Sequence, residues 1–261
     1  MTSERARMSE PPESWCYLSP HLDDAVYSCG GLIRAQTDAG QKVEIWTVCA
    51  GDPPAGPLSP HAESLHARWR TGADTTTIRR AEDGRAAACL GAGFRHLPLP
   101  DALYRRGRSN GTPLYPAKEA LFAAALDPSE EAAIVWLAEL LVREVPAATG
   151  LVCPLGLGGH VDHRLVRLAV ERATPVHRRL RFYADCPYAM RPETRGALDP
   201  PAGFAPSIVP ISERGIRAWI AAIVSYGSQW HVSWADETAI EVELRRYLRP
   251  GGLRLWCPAS P

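Results

Sequence analysis

The sequence carries no net charge, no C-x-x-C pair, no apolar run long enough to cross a bilayer and no internal repeat, and each absence removes a class of protein. Lys+Arg and Asp+Glu both number 29. A chain without an excess of cations has no basis for gripping a phosphate lattice non-specifically, so a nucleic-acid partner is not expected. No stretch reaches the roughly 18 apolar residues of a membrane span. Residues 1–14 are polar and lack the apolar core of a signal peptide. The expectation is a chain that neither spans a membrane nor follows the conventional secretory route, with residues 1–14 a disordered tail. The seven cysteines are odd in number and lie mostly in apolar segments, which suits buried free thiols in a reducing cytoplasm better than a disulfide framework or a thiolate metal site. No linker rich in Gly, Pro and Ser divides the 261 residues, so residues 15–261 are expected to form one domain. A homo-oligomer is left open.

What is present is an alternation of two periodicities. Short apolar runs at 15–19, 43–49, 94–99, 151–154, 181–186 and 253–257 read as buried strands. Segments 30–39, 75–90, 130–144, 161–173, 212–226 and 236–248 read as helices. Strands alternating with helices predict an α/β, Rossmann-like three-layer domain with a mostly parallel sheet. Two long connections, 51–74 and 100–117, are expected to rim the ligand crevice and hold its selectivity.

The chemistry gathers at two predicted strand ends. The first strand runs into Ser19-Pro20-His21-Leu22-Asp23-Asp24, and the fourth into Gly158-Gly159-His160-Val161-Asp162-His163. In an open parallel sheet ligands bind beyond the carboxyl ends of the strands, so both clusters can meet in one crevice. Catalytic zinc takes three protein ligands from imidazoles and carboxylates and keeps one position open. His21, one of Asp23 and Asp24, and His160 or His163 supply such a set. Asp162 is expected to orient His160 or fix its protonation.

SPHLDDAVYSCGGL and GGHVDH resemble the two signature motifs of the PIG-L/LmbE family of zinc-dependent de-N-acetylases. Softer matches are Arg79 with Glu82, LPLPDALYR at 97–105, FYADCPYA at 182–189, and Tyr226 to Gln229. The resemblance implies that His21, Asp24 and His163 hold Zn2+ or another divalent metal, that Asp23 is the general base, and that His160 faces the acyl oxygen. It also implies removal of an N-acetyl or N-acyl group from an amino sugar, the substrate being a small glycoconjugate. The HLDDAV form with FYADCPYA is similar to actinobacterial members, including the deacetylases of glycopeptide-antibiotic assembly. Two departures from the family pattern are Leu22 for the commoner Pro and Ala25 for a common Glu.

Outside these motifs, Arg79, Asp101 and Gln229 are candidate substrate contacts. Two of them have a blander reading: Arg79 as a surface i,i+3 pair with Glu82, Gln229 with Trp230, His231 and Trp234 as core or interface material. His61, His66, His96 and His177 read as bystanders. The Arg run at 178–181 and Arg105 to Arg108 read as solvated faces. A phosphoesterase-like metallohydrolase and an inactive binding protein on the same fold are the competing functions.

Overall fold

The computed structural model describes residues 13–107, 111–173, 179–191, 194 and 199–259. Residues 1–12 of the expected tail, Arg108, His177 and Arg178 lie outside them.

Among the described residues seven strands form one sheet: β1 (Ser14–Ser19), β2 (Lys42–Thr47), β3 (Gly93–His96), β4 (Gly150–Pro154), β5 (Leu180–Tyr183), β6 (Phe204–Val209) and β7 (Leu253–Pro258). Their order is β3-β2-β1-β4-β5-β7-β6. β1 to β5 run parallel, and β7 and β6 continue the sheet antiparallel. The chain moves outward from β1 through β2 to β3, then returns to place β4 on the other side of β1. That reversal makes the β1/β4 boundary a switch point, with a crevice beyond the carboxyl ends of the two strands.

Among the described residues seven α-helices accompany the sheet: α1 (Asp24–Asp38), α2 (Pro60–Trp69), α3 (Thr75–Leu90), α4 (Glu131–Glu144), α5 (Val161–Ala173), α6 (Glu213–Val224) and α7 (Glu237–Leu248). α1, α3 and α6 pack on one another, while α4 packs on α5. The central strands are buried throughout, as their unbroken apolar runs demand, with Tyr17, Leu18, Leu151, Val152 and Phe182 all fully enclosed.

Three expectations need correction. The first helix begins at Asp24 and not at 30, because Ala25 to Cys29 are fully helical and buried beneath α6. Gly30 and Gly31 therefore lie inside α1, where they admit Trp219 of α6: a Cβ on Gly30 would stand 2.4 Å from the indole Cδ1. The connection 51–74 is not a loop throughout, since residues 60–69 form α2. Ser59 accepts a hydrogen bond from the Ala62 amide, and Pro60 occupies the first turn, where its missing N–H and fixed φ cost nothing. Finally, β6 had no strand signal. It is an edge strand interrupted by Pro206, and edges are where a sheet tolerates proline.

Trp219 is fully buried and donates its indole N–H to the Val26 carbonyl at 2.7 Å, so it cannot yield to an intruding methyl. Gly30→Ala is expected to lose about 1–3 kcal/mol of stability by overpacking. Urea denaturation should show a lower midpoint at unchanged slope, and an unaltered midpoint would contradict this packing account.

Candidate metal centre and its cleft

The turn after β1 is built by its own hydrogen bonds. The Ser19 hydroxyl donates to the His21 carbonyl (2.6 Å) and accepts from the Ala25 amide (2.9 Å), while the His21 amide donates to Asp24 Oδ2 (2.7 Å). These bonds close the turn onto the first residues of α1. The turn before α5 uses glycine for the same end: Gly156, Gly158 and Gly159 all have positive φ, and Gly158 packs on the Tyr188 ring, which a Cβ would meet at 3.0 Å.

These turns bring His21, Asp24, His160 and His163 together. Asp24 Oδ2 lies 3.1 Å from His21 Nδ1 and 3.3 Å from His163 Nε2. Donor atoms of His21, His160 and His163 also fall within 4.8 Å of one another. The other nitrogen of each candidate ligand is committed. His21 Nε2 is 2.9 Å from Asp162 Oδ2, and His163 Nδ1 is 2.6 Å from Asp185 Oδ1. Asp162 and Asp185 are fully buried. Each has a further anchor: Ala102 N–H to Asp162 (3.0 Å) and Leu157 N–H to Asp185 (2.8 Å). A carboxylate on the far nitrogen is the usual brace of a metal-binding imidazole.

His160 is arranged otherwise. Its Nδ1 accepts the Asp162 amide at 3.2 Å, so the neutral ring carries its proton on Nε2 and has no second lone pair to offer. Burial, with the charge of His21 adding to it, pushes its pKa down to about 3. The donor set of His21 Nδ1, Asp24 Oδ2 and His163 Nε2 thus fits a zinc-like cation, with His160 as a hydrogen-bond donor beside it. A second grouping, His21 with Asp101 and Asp162, fits less well because Asp162 is already bound by Arg105, Ala102 and His21.

The electrostatics favour positive charge at this spot. Burial disfavours a charged His21 or His163, yet the surrounding carboxylates outweigh it: Asp101, Asp162 and Asp24 raise His21 to about 10, and Asp24 and Asp185 raise His163 well above its usual range. Asp24 is held well below the carboxylate range against its burial, chiefly by His163. Asp23 behaves oppositely. Burial drives it up to about 7, although the Arg79 guanidinium 3.4 Å away opposes the rise.

His21, Asp23, Asp24, His160 and His163 open on a cleft of about 220 Å³, whose lining also includes the apolar Leu65 and Trp69 of α2 with Leu103 and Leu121. Both long connections therefore rim the cleft, as expected. Arg79, Asp101 and Gln229 line it too. Arg79 is not a surface pair: it is 7% exposed, lies 5.0 Å from the Trp69 ring centroid, and its buried Nε finds no partner among the described residues. Its supposed partner Glu82 turns instead to Ser228, accepting from both its amide (2.8 Å) and its hydroxyl (2.6 Å), and Ser228 in turn holds the Gln229 side chain. Asp101 accepts from the Leu103 amide and faces His21 at 3.7 Å. Of the aromatic cluster near Gln229, Trp234 is core, and Trp230 packs against that core.

Asp162 braces His21 through its side chain and touches His160 only through its amide. Arg105 is not a solvated face but 7% exposed, between Glu130 and Asp162. Asp185 lies within FYADCPYA, where nothing in the sequence marks it apart from other acids. His66 is buried against Tyr104 (2.6 Å) and His96 binds Asp83 (3.0 Å); neither lines the cleft.

Comparison with known proteins agrees with the geometry. Residues 16–174 match the PIG-L family, described as GlcNAc-PI de-N-acetylase, and the chain belongs to that family. It is 32% identical to 2'-N-acetylparomamine deacetylase of Streptomyces fradiae over 92% of this chain and 79% of that protein. Among solved structures, the zinc-inhibited form of teicoplanin deacetylase Orf2 superposes with a TM-score of 0.80 at 27% identity, covering 93% of this chain and 97% of its own. The A40926 pseudoaglycone deacetylase Dbv21 gives 0.74 at 28% identity, covering 95% and 97%.

Because Asp185 fixes the ring of His163, Asp185→Asn should weaken zinc affinity about 10- to 100-fold while the chain stays folded. Competition with a chromophoric chelator measures this, and an unchanged affinity would remove Asp185 from the centre.

Proposed function

We propose that the protein is a metal-dependent deacetylase that hydrolyses the N-acetyl or N-acyl group of an amino sugar within a small glycoconjugate, in actinobacterial secondary or thiol metabolism. The observation that carries this reading is Asp24 Oδ2 lying between two imidazole nitrogens whose rings are each braced by a buried carboxylate, with Asp23 beside them and free of that set. The relatives support the substrate class, being described as deacetylases of 2'-N-acetylparomamine, of teicoplanin and of A40926 pseudoaglycone. His21, Asp24 and His163 would hold the cation. A divalent cation there supplies polarisation of the acyl carbonyl and a lower pKa for the attacking water.

The remaining work falls to protein groups. Asp23, raised towards neutrality by burial, takes a proton from the attacking water and returns it to the nitrogen as the C–N bond breaks, leaving a carboxylic acid and a free amine, between which the acid's proton then passes to give carboxylate and ammonium. Arg79 holds Asp23 in place from behind. The His160 Nε2–H donates to the oxygen on which negative charge develops, an effect typically worth about 2.7–4 kcal/mol per donor. Neutrality suits that role, since the ring needs only its one N–H. Arg79, Asp101 and Gln229 bind sugar hydroxyls along the cleft. Seven free thiols, five of them buried, support a cytoplasmic setting, and no helix of the described residues is long and apolar enough to cross a membrane.

The test is release of free amine from N-acetylglucosamine derivatives by the zinc-loaded protein. Amine release supports the proposal; phosphate release from phosphoesters, or zinc uptake with no turnover on any acylated amino sugar, overturns it. Asp23→Asn should keep zinc and lose about 10²- to 10⁴-fold in kcat, whereas Asp24→Ala and His163→Ala should lose zinc as well. Near wild-type turnover in Asp23→Asn would refute the base assignment.

A further inference from the structure

We infer that Arg105 is a positioning residue for the cation centre, acting through Asp162 on His21. The inference rests on the reading above only in taking His21 as a ligand.

Arg105 follows the short 3-10 turn Ala102–Tyr104 and points inward, away from the surface on which its neighbour Arg106 lies. Its Nη1 is 2.5 Å from Asp162 Oδ1 and donates to the Pro100 carbonyl at 3.1 Å, while its Nε donates to Glu130 Oε1 at 2.8 Å. Glu130 is 2% exposed, at the entrance to α4. The guanidinium also lies 5.7 Å from the Tyr115 ring centroid. Glu130, Arg105, Asp162 and His21 thus form a continuous line of contacts, alternating in charge, from the start of α4 to the cleft.

The weight of this line falls on Asp162. One of its oxygens takes the Ala102 amide and faces His21 Nε2; the other faces Arg105. An imidazole can turn over about its Cβ–Cγ bond and exchange the edges it presents. For His21 the fixed Asp162 oxygen decides which edge faces Asp24. With Arg105 removed, the carboxylate keeps one backbone anchor and loses the contact that stops it rotating. The planar fork of arginine spans Glu130 and Asp162 from one rigid group, whereas a lysine ammonium offers a single point charge on a flexible stem. Residues 102–105 consequently belong to the centre, so exchanging the whole 100–117 connection should disturb cation uptake as well as substrate choice.

The test uses the full chain as Arg105→Met, Arg105→Lys and Glu130→Gln, with zinc alone as probe. Arg105→Met should weaken zinc affinity about 10-fold or more and shrink the rise in Tm that zinc produces. It should also abolish the protected downfield Nε2–H proton resonance of His21 in the zinc-free protein. Arg105→Lys should recover part of each, and Glu130→Gln should lie between Arg105→Met and wild type. An Arg105 that only braces the loop would lower Tm equally with and without zinc and leave both affinity and resonance unchanged, which would overturn the inference. Should Arg105→Met fail to fold, Glu130→Gln decides: wild-type affinity with an unchanged resonance again overturns it. None of these readouts uses a substrate. A wild-type protein that binds zinc but frees no amine therefore defeats the functional reading and leaves this one standing.

Discussion

A nitrogen of an imidazole can serve a cation only if the ring is held with that nitrogen facing it, and here two rings are held by carboxylates that have been taken wholly out of water. Burying Asp162 and Asp185 is costly unless each is paired and hydrogen-bonded. Both are: Asp185 is hydrogen-bonded by His163 and the Leu157 amide, and Asp162 is hydrogen-bonded by His21 and the Ala102 amide and ion-paired with Arg105. The consequence reaches outward in both directions. Toward the cleft, His21 Nδ1 and His163 Nε2 converge on Asp24. Away from it, the 101–105 loop and the stretch after β5 must take up the conformations that satisfy these two acids, so the shape of the cleft follows from the demands of the braces.

The sheet explains why the parts can meet. β1 and β4 are far apart in sequence yet adjacent in space, and the reversal of strand order between them leaves their carboxyl ends open. HLDD and GGHVDH are short turns anchored to those ends, and β5, the neighbour of β4, delivers Asp185 from the same edge. α3 then closes the opposite side. Arg79 faces Asp23 while Glu82, one turn later, pins Ser228 and through it Gln229. One helix thereby positions a partner of the proposed base and a wall of the substrate cleft.

The legible parts of the sequence were those in which local pattern and tertiary role coincide. The parallel core read as apolar runs because both faces are covered, and the two motifs stood out because acids and histidines at strand ends have few structural reasons to cluster. Elsewhere the role depends on contacts far along the chain. Arg79 and Glu82 have the spacing of a surface pair, and only the cleft separates them. Arg105 sits among other arginines in a polar connection, with nothing in its neighbourhood to show that Asp162 waits for it 57 residues later in the sequence. α2 is hidden by the Pro, Gly and Ser around it, which suggest a loop, although Ser59 followed by Pro60 is a fair helix start. β6 is an edge with proline inside it, which weakens the periodicity that identifies a strand.

The central claim is that the cation is held by two imidazoles and a carboxylate while the third imidazole stays free as a donor. Zinc-edge X-ray absorption on the loaded protein measures this directly. The account predicts a first shell with two imidazoles at about 2.0–2.1 Å completed by oxygen, and a spectrum unchanged in His160→Ala. A shell of three imidazoles, reduced to two by that substitution, would contradict it.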